Sequence, residues 1–464
     1  MNILELLKPS VKTALIQNGK HVSYAKLLES GLGFGGYLRH KGTAVGNHAL
    51  IFTPLSTDLY IALIGAWSIG AIPIFIDFSH GAKFVNDSIE RLKPDLIVCD
   101  QVTGLIRNSY PKMRRVKAVH IDKRKNTIVP VRLDEAHPAI LSFTSGTTGI
   151  PKIAVRSHGF LIDQYHALVE HFNYNENHID LGTLPVFTLA NLASGMTTLL
   201  PDKSYKSRIN SAKLAKTMER EKVSRVICSP ALMANLLNYS SLPSLRNAYL
   251  GGGPVYPSLL DKIRKDIDLH IVYGSTEAEP ISSIRWQDIG SADRDKITSG
   301  AGLPVGFIAS GVECKIGEGE EVIVSGKTVL KGYLDGLGDD ENKIRDGNKI
   351  WHRTGDAGYF DKQGRLWLLG RVNQAIHDKF GILHPFSLEC VLDNQFGIRG
   401  AVLLKSGKRT VVIENGSADP ASVLEALRPM HIEKVITVKT IPMDARHGTK
   451  IDYNHLEKIV LRKT

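Results

Sequence analysis

Cysteine is scarce in this chain, and its few positions exclude two kinds of structural site. The 464 residues contain four cysteines, and no two of them form a CxxC pair. Neither a disulfide framework nor a zinc site of paired thiolates is therefore indicated. The four positions are Cys99, Cys228, Cys314 and Cys390. Such usage is typical of a reducing compartment, so we expect a cytoplasmic location.

Signals for export and for membrane insertion are also lacking. The first residues, Met-Asn-Ile-Leu-Glu, carry an early acid and lack a basic start and a small-residue cleavage site, so we expect no secretory signal. Residues 59–76 carry no charge and reach the ~18 residues of a candidate membrane-spanning helix. Gly65 and Gly70 interrupt this segment, and residues 71–77 have a strand pattern. We interpret it as a buried helix followed by a buried strand.

No internal repeat or low-complexity tract is present, and the composition is that of a folded protein. Apolar residues make up 43% and charged residues 23% of the chain, which is ordinary for a globular protein. Chains beyond ~250–300 residues usually divide into domains, so we expect at least two. The net charge of +11 attracts polyanions. Since no nucleic-acid recognition motif accompanies it, we expect a solvated basic face, an anionic substrate or an acidic carrier protein or partner enzyme rather than nucleic acid.

The chain is organised around a loop rich in glycine and hydroxyl residues. Residues 140–143 have a buried-strand pattern, and residues 144–152 then read Thr-Ser-Gly-Thr-Thr-Gly-Ile-Pro-Lys. Glycines let backbone N–H groups approach an anion, and lysine adds a positive charge. The spacing differs from the GxxxxGK[ST] of the P-loop because Pro151 precedes Lys152. Taken alone, the loop indicates either a phosphate site or an ordinary turn.

Apolar strand patterns alternate with helical patterns over the first two thirds of the chain. This alternation predicts an α/β fold with mostly parallel sheets covered by helices. Ligands of such sheets bind at the carboxyl ends of the strands, where the glycine-rich loop begins. The strand patterns lie at residues 49–52, 96–99, 119–121, 140–143, 180–184, 226–228, 248–250 and 270–272.

Three more unusual segments follow strands of the middle third. They are Pro-Val-Phe-Thr-Leu-Ala-Asn at 185–191, Gly-Gly-Gly-Pro at 251–254 and Tyr-Gly-Ser-Thr-Glu at 273–277. Loops that converge on one sheet edge form a site, and the second could bring bare backbone against a flat ring. Beyond Trp286 short strands with turn signals predict an antiparallel subdomain. From Gly370 onward the pattern is that of a small, separate α+β domain.

Taken together, five segments resemble the ordered motifs of the adenylate-forming superfamily, which includes acyl-CoA synthetases, nonribosomal peptide adenylation domains and firefly luciferase. They are residues 144–152, residues 273–277, Arg-Thr-Gly-Asp at 353–356, Gly-Arg at 370–371 and Gly-Thr-Lys at 448–450. Five motifs in order are far more specific than one. The resemblance spans nearly the whole chain. It implies a large N-terminal AMP-binding domain of residues 1–369, a hinge at 370–373 and a small mobile C-terminal domain of residues 374–464.

The resemblance also implies where ATP would bind. The triphosphate would lie against Thr144, Ser145, Gly146, Thr147, Thr148, Gly149 and Lys152. The nucleotide would further contact Gly251, Gly252, Gly253, Pro254, Tyr273, Gly274, Ser275 and Thr276. Asp356 would accept hydrogen bonds from the ribose hydroxyls, with Arg371 nearby.

Three residues would carry the chemistry in this resemblance: Glu277 as the ligand of Mg²⁺, Lys450 as the contact to the reacting carboxylate and α-phosphate, and Thr148 in the phosphate loop. Each assignment has a plainer alternative. Glu277 could be an acid in the first turn of a helix, Asp356 could cap a turn, and Lys450 could be a surface lysine.

The sequence departs from the superfamily pattern at four places. Ile153 stands where many members have glycine after the loop lysine, and Thr188 follows Phe187 where many have histidine. Asn373 replaces the usual hinge acid, and the Lys-x-x-Gly pattern of CoA ligases is absent from residues 374–381. The last departure argues against a CoA half-reaction. The substrate pocket is predicted to be apolar, and it is assigned to Phe187, Thr188, Leu189 and Asn191.

Several segments are closer to one branch, the β-lactone synthetases of olefin biosynthesis. They include Ser-Pro-Ala-Leu at 229–232, Leu-Pro-Ser-Leu-Arg at 242–246 and residues 442–450. We therefore expect ATP- and Mg²⁺-dependent activation of a carboxylic acid, a fatty or 3-hydroxy fatty acid, followed by lactone closure or another transfer. An acyl-CoA synthetase that forms a CoA or carrier-protein thioester is the alternative. A non-catalytic nucleotide-binding module is an alternative of another class.

Overall fold

The computed structural model describes residues 2–122, 127–144, 152–202, 209–443 and 450–461. Its first third alternates strands with helices, as the apolar patterns predict. The elements are β1 (Thr13–Gln17), β2 (Lys20–Ser23), α1 (Tyr24–His40), β3 (His48–Phe52), α2 (Thr57–Ser68), β4 (Ile72–Phe75), α3 (Gly81–Leu92), β5 (Leu96–Cys99), α4 (Gln101–Ile106), α5 (Pro111–Arg114), β6 (Lys117–His120), β7 (Pro138–Thr144), β8 (Lys152–Ser157) and α6 (His158–His171).

The first sheet places the glycine-rich loop at a strand end. Its strand order is β6-β5-β3-β4-β7-β8. The strands from β6 to β7 pair in parallel, and β8 returns antiparallel to β7. β7 ends at Thr144, so the loop leaves the sheet at the edge where the parallel strands have their carboxyl ends.

Helices α1 and α2 pack closely because glycines of α1 meet α2. A Cβ atom at Gly31 would lie 2.4 Å from Cγ2 of Ile64, and one at Gly35 would lie 2.0 Å from Oγ of Ser68. Glycines that lower helix propensity therefore allow a close helix contact here. Residues 59–68 of α2 are all buried, which confirms the interpretation as a core helix. None of the helices in the described residues has the length and apolar character needed to span a membrane.

The middle third builds a second parallel array. Strands β10, β9, β11, β12 and β13 pair in parallel in that order, and β14 turns back antiparallel to β13. One prediction is wrong here: residues 185–191, expected in a loop, lie in a helix. The elements are β9 (Ile179–Gly182), α7 (Pro185–Ala193), β10 (Thr197–Leu199), α8 (Ser211–Arg220), β11 (Arg225–Cys228), α9 (Pro230–Leu237), β12 (Asn247–Leu250), α10 (Pro257–Lys262), β13 (Asp268–Ser275), β14 (Ala278–Arg285) and α11 (Ser291–Thr298).

The strands after Trp286 are antiparallel, as predicted, and they extend the second sheet. β14 pairs with β15, and β15 pairs with β20, so the hydrogen-bonded path is continuous. In this region Asp356 and Arg371 are opposite each other in the pair of β19 and β20. The elements are β15 (Leu303–Ile308), β16 (Val312–Ile316), β17 (Glu321–Gly326), α12 (Asp339–Asn342), β18 (Lys343–Asp346), β19 (Lys349–Phe360) and β20 (Leu366–Arg371).

The last part of the chain has sheets and apolar cores of its own. Strands β23, β24 and β25 form one sheet, and β21 and β22 form a hairpin. Helix α13 joins the two parts of the molecule: Cys390 belongs to the large core, whereas Leu388 and Leu392 belong to the small one. The elements are β21 (Ile376–Asp378), β22 (Gly381–Leu383), α13 (Pro385–Phe396), β23 (Gly400–Lys405), β24 (Lys408–Glu414), α14 (Pro420–Ala426), β25 (Lys434–Val438) and α15 (Tyr453–Leu461).

Candidate active site

The glycine-rich loop is anchored by two paired strands. Thr144 at the end of β7 pairs with Lys152 at the start of β8. The predicted phosphate contacts Ser145, Gly146, Thr147, Thr148 and Gly149 lie outside the described residues.

Lys152 is held in the interior rather than on the surface. Its side chain is 5% exposed. Gly338 has a φ of +97°, and a Cβ atom there would lie 2.8 Å from Cδ of Lys152. The Lys152 ammonium group is 5.6 Å from the centroid of the Tyr333 ring. Glycine at 338 therefore leaves room for the lysine stem beside an aromatic ring.

Glu277 lies in the turn between β13 and β14, and Tyr333 holds its carboxylate. The Tyr333 hydroxyl donates to Oε1 of Glu277 at 3.1 Å, and the Leu330 N–H donates to the Glu277 carbonyl at 2.7 Å. The plainer alternative, an acid in the first turn of a helix, is wrong because a strand follows. The described residues contain no group of three or more metal-ligating side chains. A single carboxylate still suits Mg²⁺, which commonly takes one or two carboxylates plus phosphate oxygens.

Lys343 is a buried cation beside Glu277 that the sequence analysis missed. It is 7% exposed, its ammonium group donates to the Leu330 carbonyl, and it lies 5.3 Å from the centroid of the Tyr333 ring. Burial lowers the pKa of Lys343 to about 8, although the charge of Glu277 opposes that shift. No local signal could have found it, because Lys-Ile-Arg-Asp at 343–346 reads as an exposed hairpin strand.

Tyr273, Asp356 and Arg371 form one hydrogen-bonded group. The Tyr273 hydroxyl donates to one oxygen of Asp356 at 2.9 Å, and Arg371 donates to the other at 2.8 Å. Burial, reinforced by the Asp356 charge, raises the pKa of Tyr273 well above its usual range. The Asp356 carboxylate therefore accepts hydrogen bonds from residues of neighbouring segments rather than capping its own turn. The structure brings together these three residues, whose nucleotide roles remain predictions.

The loop after β12 lies close to the next strand, whereas the loop predicted at residues 273–277 is mostly strand, since β13 extends to Ser275. A Cβ atom at Gly251 would lie 2.6 Å from the Val272 carbonyl oxygen, so the 251–254 loop runs flush against β13. Gly252 has a φ of +74° with open space around its Cα. The predicted contact of residues 251–254 with the nucleotide remains a prediction. Gly274, Ser275 and Thr276 continue this edge toward Glu277.

Of the four residues predicted to line a substrate pocket, the structure places Leu189 alone in the wall of the apolar cavity described next. Asn191 and Thr188 are fully buried against other groups: Asn191 donates to Asp180 at 2.6 Å, and Thr188 donates to the Leu184 carbonyl at 3.4 Å. Phe187 packs in a cluster with Tyr249. These three residues do not line the cavity described next, because residues 185–193 form helix α7 and a different face of that helix borders the cavity. Leu189 does line it.

An apolar cavity lies between α6, α7 and the N-terminal segment. Its empty space is about 410 Å³, including the part open to solvent. Each helix contributes residues at spacings of three and four, which is one helix face. This helical periodicity of apolar residues is the sequence signal for the cavity, and the prediction of a loop at residues 185–191 does not account for it. The wall consists of Ile3, Leu6, Leu7, Trp67, Leu161, Gln164, Tyr165, Leu168, Val186, Leu189, Ala190 and Ala193.

The hairpin of β13 and β14, which carries Glu277, also contacts the wall of the cavity. Nε2 of Gln164 is 3.3 Å from the carbonyl oxygen of Glu279, two residues beyond Glu277 in β14. Arg156 donates to the Thr276 carbonyl at 2.8 Å and fixes the same turn from β8. The β13–β14 hairpin therefore carries Glu277 and also contacts the cavity wall through Gln164.

Lys450 and Asn373 belong to the last part of the chain. Lys450 is exposed and precedes Ile451, which forms a bridge with Met443. Gly448 and Thr449 lie outside the described residues. Asn373 is exposed in the short helix Val372–Gln374 that follows β20. The reach of Lys450 into the site and the hinge at 370–373 remain predictions.

Comparisons with known proteins found a family model, curated relatives and solved structures that are similar to this chain. The family model described as "AMP-binding enzyme" matches residues 7–334. An olefin β-lactone synthetase of Stenotrophomonas maltophilia is 25% identical over 485 aligned positions, which cover 90% of this chain and 87% of that protein.

Two solved structures have the same fold. An O-succinylbenzoate coenzyme A synthetase of Bacillus subtilis, in complex with ATP and magnesium ion, has a TM-score of 0.79 at 20% identity and covers 96% of both chains. An amide bond synthetase of Marinactinospora thermotolerans has a TM-score of 0.83 at 20% identity, over 99% of this chain and 98% of that one.

Proposed function

The chain belongs to the AMP-binding enzyme family and is an adenylate-forming enzyme, and on that premise we propose that it activates a fatty or 3-hydroxy fatty acid with ATP. A carboxylate oxygen attacks the α-phosphorus in line, which gives an acyl-adenylate and releases pyrophosphate. The observation that carries this proposal is that Lys152 and Glu277 both contact Tyr333, while the hairpin of Glu277 also contacts the wall of an apolar cavity.

The residues at the phosphate end position ATP and neutralise its charge. Lys152 and the loop of residues 144–149 bind the triphosphate, and Glu277 holds Mg²⁺, which when bound offsets the charge of the phosphate oxygens. Asp356, oriented by Tyr273 and Arg371, accepts from the ribose. Lys450 completes the site from the C-terminal part. Positioning and electrostatic stabilisation of this kind account for most catalysis of such a step.

The apolar cavity takes the hydrocarbon part of the acid. Its wall is made mostly of aliphatic side chains, which form no hydrogen bonds or ion pairs with a charged group. Burial of each methylene group of the substrate there is favourable by about 0.8 kcal/mol.

The fate of the adenylate is proposed to be lactone closure or another CoA-independent transfer. The similarity to the olefin β-lactone synthetase over 90% of this chain supports it, as does the missing Lys-x-x-Gly pattern after Arg371. A β-hydroxyl of the same bound molecule would attack the activated carbonyl. Well-aligned intramolecular attack can lower the barrier by ~7–11 kcal/mol relative to a bimolecular step.

Thioester formation is the second candidate, because the fold is shared with a coenzyme A synthetase. Product analysis distinguishes the two. The enzyme is incubated with ATP, Mg²⁺ and a 3-hydroxy fatty acid, with and without CoA, and the products are identified by mass spectrometry. With the 3-hydroxy acid we expect AMP and a lactone whether or not CoA is present. With an acid of equal length that lacks the hydroxyl group we expect only the acyl-adenylate. Turnover that strictly requires CoA and yields acyl-CoA without lactone would contradict the proposal.

A further inference from the structure

Residues 2–7 form a short turn that supplies part of the wall of the apolar cavity. The side chains of Ile3, Leu6 and Leu7 belong to that wall. The turn is a 3-10 helix over Ile3–Leu6 with a cap at each of its first donors: the Leu4 N–H donates to the side chain of Asn2, and the Asn2 N–H donates to Glu5. Residues 8–11, which join the turn to β1, are all exposed. The position of the turn therefore depends on its own contacts with the helices around the cavity.

Two buried hydrogen bonds fix the turn against α2 and α6. The side-chain amide of Asn2 donates to the Trp67 carbonyl at 2.9 Å, and the Ile3 N–H donates to Nδ1 of His158 at 3.2 Å. Nδ1 accepts only when it carries no proton. Burial lowers the pKa of His158 to about 4, so the ring is neutral at neutral pH and the bond is kept. The turn is thus held in place without any polar contact of the Leu6 and Leu7 side chains.

The turn and the β13–β14 hairpin contact α6 at different levels. Ile3 meets His158 at the start of the helix, whereas Glu279 of the hairpin meets Gln164. The rise from His158 to Gln164 is about 9 Å, six residues at 1.5 Å each. Because the hairpin carries Glu277, residues 2–7 border the part of the cavity that is farther from the proposed phosphate end.

We infer that residues 2–7 close the far end of the cavity, and that Leu6 and Leu7 determine how long a hydrocarbon chain the enzyme accepts. The inference rests on the proposed function and adds the residues that set its chain-length specificity. Leu6 and Leu7 are half-buried, whereas Leu161 and Leu168 of the same wall are buried. The two leucines therefore form the boundary between the cavity and solvent, which a longer chain would have to cross.

The expected size of the effect follows from the burial of methylene groups. Each further methylene group that is buried should raise kcat/KM roughly fourfold, because its burial is favourable by about 0.8 kcal/mol and tenfold corresponds to 1.4 kcal/mol. The double variant Leu6→Ala, Leu7→Ala lengthens the space, and its surroundings close it only in part. Its preferred acid should be longer than that of the wild-type enzyme by about two or three methylene groups. Leu6→Trp fills the same end and should shift the preference to shorter acids.

The test is acid-dependent pyrophosphate exchange with a series of straight-chain acids that differ by one methylene group. The measured quantity is kcat/KM as a function of chain length, with thermal unfolding of each variant recorded alongside. We expect opposite shifts of the preferred length in the double alanine variant and in Leu6→Trp. Leu105→Ala is the matched control, because Leu105 is 75% exposed and lies outside the cavity wall; it should leave the preferred length unchanged.

Two outcomes would overturn the inference while leaving the proposed function in place. One is a preferred length that is the same in the wild-type enzyme and in both variants, even if the variants unfold at lower temperature; the turn would then serve packing alone. The other is a shift of Leu6→Trp toward longer acids. Should the double variant not fold, Leu6→Trp decides the question by itself. Exchange with no acid of any length would instead contradict the proposed function.

Discussion

At the proposed phosphate end of the site, two lysines and a glutamate are arranged around the Tyr333 ring. The ammonium groups of Lys152 and Lys343 lie 5.6 and 5.3 Å from its centroid, and its hydroxyl donates to Glu277. Cations near an aromatic face are stabilised when desolvated. Asp339 accepts from the Tyr333 N–H at 2.8 Å, so the ring is fixed from both ends. Lys343 therefore adds a positive charge close to the proposed position of the triphosphate.

Replacement of Lys343 should weaken the binding of ATP more than that of AMP. Lys343→Met removes a charge but keeps an apolar stem, and charged contacts are worth about 1.5–3 kcal/mol. We expect the Kd of ATP to rise roughly 10- to 100-fold and the Kd of AMP to stay nearly unchanged, by titration calorimetry. Lys349→Met is the matched control, because Lys349 is exposed in the same hairpin and pairs with Glu313. Equal losses for ATP and AMP would indicate a purely structural role for Lys343.

Site residues that lie within recognisable sequence motifs could be predicted from the sequence, whereas site residues outside such motifs could not. Tyr273, Asp356 and Arg371 come from three separate motifs, and the structure joins them directly. Lys343 and Gln164 gave no signal, because each gains its environment only through long-range packing. Gln164 meets Glu279 across 115 positions of the sequence. No pattern of neighbouring residues in the sequence can indicate such a contact.

Among the elements, α7 decides the shape of the cavity, and its position depends on a buried ionic group. Arg225 of β11 contacts Asp180 of β9 at 3.2 Å and Asn191 of α7 at 3.3 Å. Its guanidinium lies 4.2 Å from the centroid of the Tyr174 ring. All three polar residues are fully buried, so the group fixes α7 on the sheet.

Loss of Arg225 should destabilise the fold strongly. Arg225→Met leaves the carboxylate of Asp180 unpaired in the core, and breaking such a pair typically costs about 3–5 kcal/mol. Urea unfolding should show a decrease of that size in the free energy of unfolding. Arg220→Met, at an exposed ion pair with Glu221, should change it by less than about 0.5 kcal/mol. Similar small effects for both variants would contradict a structural role for the buried group.

The same element shows where reasoning from sequence failed. Residues 185–191 begin with proline and have no side-chain cap, so nothing local marked a helix start except Pro185 at its first position. The apolar spacing of Val186, Leu189, Ala190 and Ala193 was the remaining signal. By contrast, the parallel strands were predictable because short, continuously apolar runs suit strands that are buried on both faces.

At the scale of the whole molecule, helix α13 connects the large part of the chain to the small one. The carboxylate of Glu389 accepts from Tyr256 at 2.7 Å and from Tyr453 at 2.6 Å. Asp393 accepts from the backbone and side chain of Ser258 at 2.8 and 2.6 Å. Burial raises the pKa of Glu389. The proposed movement of the small domain about residues 370–373 after adenylation would have to break these polar contacts and the packing of Cys390 in the large core.

The central claim is that this molecule activates a carboxylic acid as its adenylate, and acid-dependent exchange of labelled pyrophosphate into ATP tests it most directly. We predict exchange only with Mg²⁺ and an apolar acid present. Lys450→Ala should slow it on the order of 10²- to 10³-fold, the usual cost of one electrostatic contact in such a step, whereas Lys458→Ala at an exposed position of α15 should not. Tight ATP binding without exchange for any acid in a broad panel would contradict the account and favour a non-catalytic nucleotide-binding module.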